Sequence, residues 1–171
     1  MLTFLAGLLV GAAVVAATMR RRSSALRDLA DRDPLTGLLN RRGLAAWASR
    51  LGTSEVTVLM FDLDDLREVN RAGHGVGDDA LRRTADALSA QLRAGQAAAR
   101  VGGDEFVFVS PVAPPGMPER VFQVVRSSVP GISAGCVTGS VAQLENLLDQ
   151  ADEALLSAKR RGGGVLVCSA G

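Results

Sequence analysis

The stretch AAARVGGDEFVFVS, Ala97 to Ser110, constrains the fold more than any other part of the chain. Two apolar arms of strand-forming composition flank Gly-Gly-Asp, a sequence that reverses direction. The pattern predicts a β-hairpin with Asp104 and Glu105 at its tip. A turn that needed only tightness could use Asn-Gly or Asp-Gly. Two adjacent acids place like charges side by side, a cost usually recovered by a cation. Taken alone, Gly102, Gly103 and Asp104 also fit an ordinary hairpin turn.

Strands and helices alternate around this hairpin. TVLMFDLDD predicts a strand over Val56 to Phe61, ending in the acids Asp62, Asp64 and Asp65. Such acids are also common in a solvated loop or a helix cap. LLNRRGLAAWASRLG, with Leu39, Leu44, Ala46 and Trp47 at helical spacing, reads as the first helix of the domain. A second helix is expected from about Gly77 through Leu92, with Leu81, Ala85, Leu88 and Leu92 on one face. After the proline-rich VAPPGMP a third covers about Pro118 to Ser127, and GISAGCV supplies a short strand. VAQLENLLDQADEALLSAK carries Leu144, Leu147, Leu148, Ala151, Leu155 and Ala158 in a helical stripe, and Val165 to Cys168 forms a last strand. This order specifies an α+β domain, a mixed sheet flanked by helices, with the hairpin beside the first strand.

If the hairpin pairs with that strand, Asp62 and Asp104 converge from neighbouring strand ends. Two such carboxylates raise each other's pKa unless a counter-charge intervenes. Mg²⁺ or Mn²⁺ matches their oxygen donors. A Mg²⁺ held by few carboxylates completes its shell from water and phosphate, so the site implies a nucleoside triphosphate. Glycine at 102 and 103 lets backbone lie close to such a ligand.

From Leu2 to Met19 no residue is charged, and a helix there could span roughly 27 Å, close to a bilayer's hydrocarbon core. Arg20, Arg21 and Arg22 follow at once. The positive-inside tendency then puts the arginines and all that follows in the cytoplasm. A cleaved secretory signal is the rival, but signals carry their positive charge before the apolar segment. The expected organisation is a membrane anchor over 1–19, a connecting helix over 20–32, stopped by Asp33-Pro34, and a domain over 33–171. Gly7 and Gly11 have the small-xxx-small spacing of close-packed membrane helices, no more than such composition often provides. A formal net charge of +1 and the absence of Tyr argue against nucleic-acid binding. Cys136 and Cys168 match no metal spacing and read as reduced core residues.

GGDEF at Gly102 to Phe106, preceded by Arg100, resembles the signature of the GGDEF family of diguanylate cyclases. DPLTGLLNRR at Asp33 to Arg42, FDLDDLREVN at Phe61 to Asn70, GHGVGDDAL at Gly73 to Leu81, SAGC at Ser133 to Cys136 and ADEALLSAKRRG at Ala151 to Gly162 follow the family's order. The resemblance implies a palm-like, ferredoxin-like domain that condenses two GTP molecules into cyclic di-GMP. It further implies that Asp62, Asp104 and the Leu63 carbonyl bind metal, and that Glu105 assists the metal or deprotonates the attacking 3′-hydroxyl. Asn70 and Asp78 are then the guanine ligands, and Arg67 and Lys159 meet the terminal phosphates. Each domain binds one GTP, so activity requires a homodimer, which tethering to a membrane favours.

The chain also departs from the family pattern. Asn70 is followed by Arg71 and Ala72 where the family has an Asp and two more residues before Gly-His, so one residue is missing and Arg stands in place of the Asp. Leu66 and Leu156 replace Phe and Tyr, and Gly162 to Gly164 replace Gly-Arg-Asn. The family's Arg-x-x-Asp inhibitory pattern is incomplete, with Arg93 present and Gln96 in place of the acid, so no strong feedback inhibition is expected there. Arg83 and Asp86 spell the pattern too early and suggest a helix ion pair. His74 reads as a structural loop residue. A degenerate domain that binds GTP or a protein without turnover, or a membrane scaffold, are the alternatives to a cyclase.

Overall fold

The computed structural model describes residues 30–52, 54–64, 66, 74–111, 113–164 and 166–168. The chain divides after Asp31, and the fold below is that of Arg32–Gly171. The stretch expected to cross a membrane lies outside the described residues. No helix among those described is long and apolar enough to do so.

In chain order the elements are β1 (Leu39–Asn40), α1 (Arg41–Ala48), β2 (Glu55–Leu63), α2 (His74–Gln91), β3 (Ala97–Arg100), β4 (Glu105–Ser110), α3 (Met117–Ser128), β5 (Ile132–Ser140), a 3₁₀ turn (Val141–Gln143), α4 (Leu144–Arg160) and β6 (Leu166–Cys168). They build one six-stranded mixed sheet in the order β1-β3-β4-β2-β5-β6. The hairpin β3–β4 forms as its composition predicts, and β4 pairs antiparallel with β2, setting Glu105 opposite Asp62. On its other edge β2 pairs antiparallel with β5, which sets Asp62 opposite Ser133.

Period-two alternation along β2 divides the core between the two faces of the sheet. Leu59, Phe61 and Leu63 pack with Leu81, Ala85 and Leu88 of α2 and with Val121, Phe122 and Val125 of α3. Val56, Val58 and Met60 face the other way, against Leu44 of α1 and Leu147, Leu148, Ala151 and Leu155 of α4. The stripe read on α4 is buried at all six positions. Gly135 of β5 lets α4 lie on the sheet: a Cβ there would overlap the Ala151 carbonyl and stand 3.0 Å from the Ala154 carbonyl carbon.

Several local expectations need correction. Leu39 is in β1, paired in parallel with Ala99, and not in the first helix. That helix starts after Asn40, whose Oδ1 accepts a hydrogen bond from the Gly43 amide at 2.9 Å and so caps it. Leu92 lies beyond the end of α2 and is exposed. Arg82, not Arg83, makes the ion pairs of α2, with Asp78 and Asp79. Leu66 takes its place in the core as an apolar replacement should, whereas Leu156 projects from α4 into solvent. Cys168 is exposed on the edge strand β6, and only Cys136 is in the core.

Candidate active site

Of the acids of FDLDD, Asp62 does not follow the strand but lies inside it, while Asp64 comes just after its end. β4 carries the β2 ladder through Asp62 and β5 carries it on to Leu63, and Asp62 retains only 9% of its exposure. Burial is the main force on its carboxyl. Together with repulsion from Asp104 and Glu105 it outweighs the hydrogen bond and charge of Lys159 and pushes the pKa above the ordinary value. The ionised form at neutral pH therefore costs folding stability, a cost that vanishes below the ordinary carboxylate range. Acids held against stability in this way are characteristic of functional sites.

Lys159, the sole lysine of the chain, reaches from the last turn of α4 and forms an ion pair with Asp62 Oδ1. β2, the hairpin tip and α4 thus bring Asp62, Asp104, Glu105 and Lys159 together. Leu63 closes β2 with its side chain in the core, which leaves its backbone for any part it plays.

Two further interactions shape the site. Arg100, at the end of β3, donates to the Gly103 carbonyl at 2.6 Å and pairs with Asp33 at 3.1 Å, both side chains largely buried. This joins the DPLTG turn to the hairpin tip. Burial alone would raise the Asp33 carboxyl, but hydrogen bonds from Thr36 and Arg100 hold it below the ordinary range. A depressed acid contributes stability above its ordinary pKa of 3.8 and loses it as pH falls through the lower folded value. Asp33→Asn is therefore expected to cost about 1.5–3 kcal/mol at pH 7, and its gap from wild type should narrow below about pH 4. Urea denaturation at the two pH values measures this; a gap independent of pH would contradict it.

The second interaction centres on Asp64. Its carboxylate accepts from the Ser133 hydroxyl at 2.8 Å and from the Gly164 amide at 3.2 Å. Gly162, Gly163 and Gly164 all have positive φ, at 101°, 74° and 64°. The glycine run where the family carries Gly-Arg-Asn is a left-handed turn that aims an N–H at Asp64. Sequence reasoning gave Asp64, Ser133 and Gly164 no role. The available signal was a second acid two residues after Asp62, the spacing that returns to the same side of a pleat.

Gly102 and Gly103 adopt no left-handed conformation. At Gly102 a Cβ would meet the Glu105 carboxylate, which would have to turn aside; Gly103 faces open space. Asp78 lies near the start of α2, half-exposed and 3.8 Å from Arg82. Its expected companion at the guanine, Asn70, lies outside the described residues, as does Arg67. Arg93 and Gln96 share a turn at the opposite end of the hairpin: Gln96 accepts from the Arg93 amide and donates to Ser110 Oγ, each at 2.9 Å. Both line a cavity of about 490 Å³.

Among the described residues no three His, Cys, Asp or Glu side chains stand grouped as a metal centre. The donor set nevertheless fits a hard cation: two carboxylates at adjacent strand ends, one buried and held at an elevated pKa, with an ammonium already drawn to it. Few protein carboxylates are what Mg²⁺ takes when phosphate completes its shell.

Residues 30–164 match the family model described as diguanylate cyclase, GGDEF domain. The chain is 35% identical over 153 residues to the diguanylate cyclase DosC of Escherichia coli K12, covering 76% of this chain and 33% of DosC. It thus spans about a third of the length of that curated relative. Among solved structures, the diguanylate cyclase SiaD of Pseudomonas aeruginosa, in complex with its activator SiaC, superposes with a TM-score of 0.78 at 30% identity, over 98% of this chain and 73% of SiaD. The coiled coil and GGDEF domain of DgcB from Caulobacter crescentus, in complex with c-di-GMP, gives a TM-score of 0.80 over 96% of this chain and 99% of that one. At 21% identity it speaks for the fold alone. With the hairpin, the strand-end acid and the family match in agreement, the chain belongs to the GGDEF-domain family of diguanylate cyclases.

Proposed function

We propose that this protein condenses two GTP molecules into cyclic di-GMP. The observation that carries the reading is the buried Asp62, raised in pKa by burial and by Asp104 and Glu105, and in contact with a single ammonium. Asp62, Asp104 and the Leu63 carbonyl would hold Mg²⁺ or Mn²⁺. A bound divalent cation supplies charge neutralisation on the phosphate oxygens. Glu105 would draw the proton from an attacking 3′-hydroxyl, a role supported by its position opposite Asp62 in the ladder. Lys159 and Arg67 would meet the terminal phosphates, with Asn70 and Asp78 on the guanine and Gly102 and Gly103 beside the ligand. One GTP per domain makes a homodimer necessary.

Lys159 now supplies the positive charge that Asp62 needs. With a cation held there, Lys159 would give up Asp62 and its ammonium would turn to phosphate. Lys159→Met leaves Asp62 without a partner and is expected to cost about 1–2 kcal/mol, discounted because Lys159 is partly exposed. Its thermal midpoint should rise more steeply with Mg²⁺ than that of wild type. Equal Mg²⁺ dependence of the two proteins would contradict the competition.

We also propose a single-pass anchor in the cytoplasmic membrane with the domain on the cytoplasmic side, supported by the uncharged run Leu2–Met19 ahead of three arginines. Recovery in the membrane fraction, resistant to high salt and alkaline carbonate, tests it; release by salt counts against it.

A second reading is favoured by the shortened stretch after Asn70 and by the Arg82 contact of Asp78. In it the domain binds GTP or a protein partner without turnover. Full-length protein incubated with GTP and Mn²⁺ separates the two: cyclic di-GMP supports the cyclase, and nucleotide binding without product supports the degenerate domain.

A further inference from the structure

Away from the hairpin tip, the chain's only two cysteines meet on neighbouring strands. Cys136 in β5 and Cys168 in β6 are direct partners in a parallel register. Parallel neighbours lie about 4.8 Å apart, and directly paired residues project from the same face. That spacing is within the Cα separation of roughly 4.4–6.8 Å that a disulfide bridges. Both side chains line one cavity of about 340 Å³, with Glu119, Thr57 and Thr138. Cys136 is buried against α3, while Cys168 is exposed on an edge strand, so only one thiol is open to a reagent. Both are free thiols in this structure.

We infer that Cys136 and Cys168 form a vicinal dithiol that closes reversibly into an intrachain disulfide by exchange with a small disulfide. The closeness of the two thiols is the leading reason that the Cys168 thiol is drawn below its ordinary value and the Cys136 thiol pushed above it, with burial and the Glu119 carboxylate opposing ionisation of both. Cys168 is therefore the attacking thiolate. Its sulfur displaces one half of the small disulfide, giving a mixed disulfide on Cys168 and one released thiolate. Cys136 then gives up its proton, and its sulfur attacks that of Cys168, releasing the second half. Two protein thiols are oxidised and one small disulfide is reduced to two thiols.

Closure staples β6 to β5. β6 follows directly on the left-handed turn whose Gly164 amide holds Asp64, so the staple anchors the far end of the segment that joins α4 to the sheet. The inference stands on the strand register and does not depend on the cyclase reading.

The test is intact mass and thiol counting of the reduced full chain after incubation with glutathione disulfide. The expected result is a single chain lighter by two hydrogen masses, with both thiols lost, its thermal midpoint raised, and all three changes reversed by dithiothreitol. Cys136→Ala should stop at a stable glutathione adduct on Cys168, and Cys168→Ala should react at least tenfold more slowly than wild type. Accumulation of the adduct in the wild-type chain, a Cys168-linked dimer as the main product, or undiminished reactivity of Cys168→Ala would each overturn the assignment.

Discussion

Asp104→Asn is expected to lower cyclic di-GMP formation by at least a factor of about 10³ while leaving the domain folded. On the proposed function the loss follows from removing one of two carboxylates that would share the task of holding divalent charge against the triphosphate, a charge effect usually worth about 10²–10³ for a single group and more when metal is released. The fold should tolerate the change because Asp104 is partly exposed at a hairpin tip, and such substitutions stay within about 0.5 kcal/mol. Removing its charge also relieves the repulsion that raises Asp62, so the variant without metal should be at least as stable as wild type. Product formation by quantitative chromatography and a urea melt measure the two quantities. Retained activity, or collapse of the fold together with activity, would contradict the assignment.

Gly135→Ala is expected to act in the opposite sense, on the fold first and on the site through it. The added methyl overlaps backbone of α4, where neither neighbour can turn aside as a flexible side chain could. Overpacking of this kind costs about 3 kcal/mol, or roughly 10 °C in thermal midpoint for a domain of this size. Because α4 carries Lys159 to Asp62, any shift that relieves the clash also moves the ammonium. Gly139→Ala is the internal control. A Cβ there meets the far end of the Leu147 side chain at 2.7 Å, which can rotate, and the expected cost is under about 1 kcal/mol. Equal melts for the two variants would remove the argument that Gly135 sets the distance between helix and sheet.

The parts of the fold legible from sequence are those with strong periodicity. The α4 stripe from Leu144 to Ala158, the apolar β2 and the two arms around Gly102–Asp104 each followed from spacing alone, and the structure places them as read. Convergence of Asp62 with the hairpin tip followed from one further step, the pairing of β4 with β2. What sequence did not disclose depends on contacts distant in the chain. Leu39 matches a helical stripe but is drawn into a two-residue strand by pairing with Ala99, and Asn40 then starts the helix. Cys168 is apolar in its local context, yet the sheet ends at β6 and leaves it exposed. Gly162–Gly164 read as a loss relative to the family's Gly-Arg-Asn; their value appears only when Asp64 and Ser133 are seen across the site. Asp33 and Arg100 are separated by 67 positions, and only the β1–β3 pairing shows that they clamp the hairpin tip.

The account rests on a divalent cation being held between Asp62 and Asp104 once a triphosphate is present. The most direct measurement is the paramagnetic resonance signal of Mn²⁺ titrated into the full chain with a non-hydrolysable GTP analogue. Loss of free-ion signal in wild type, with at least a tenfold weaker response in both Asp62→Asn and Asp104→Asn, is the result predicted. Unchanged Mn²⁺ uptake by either variant, or none by wild type with nucleotide bound, would contradict it.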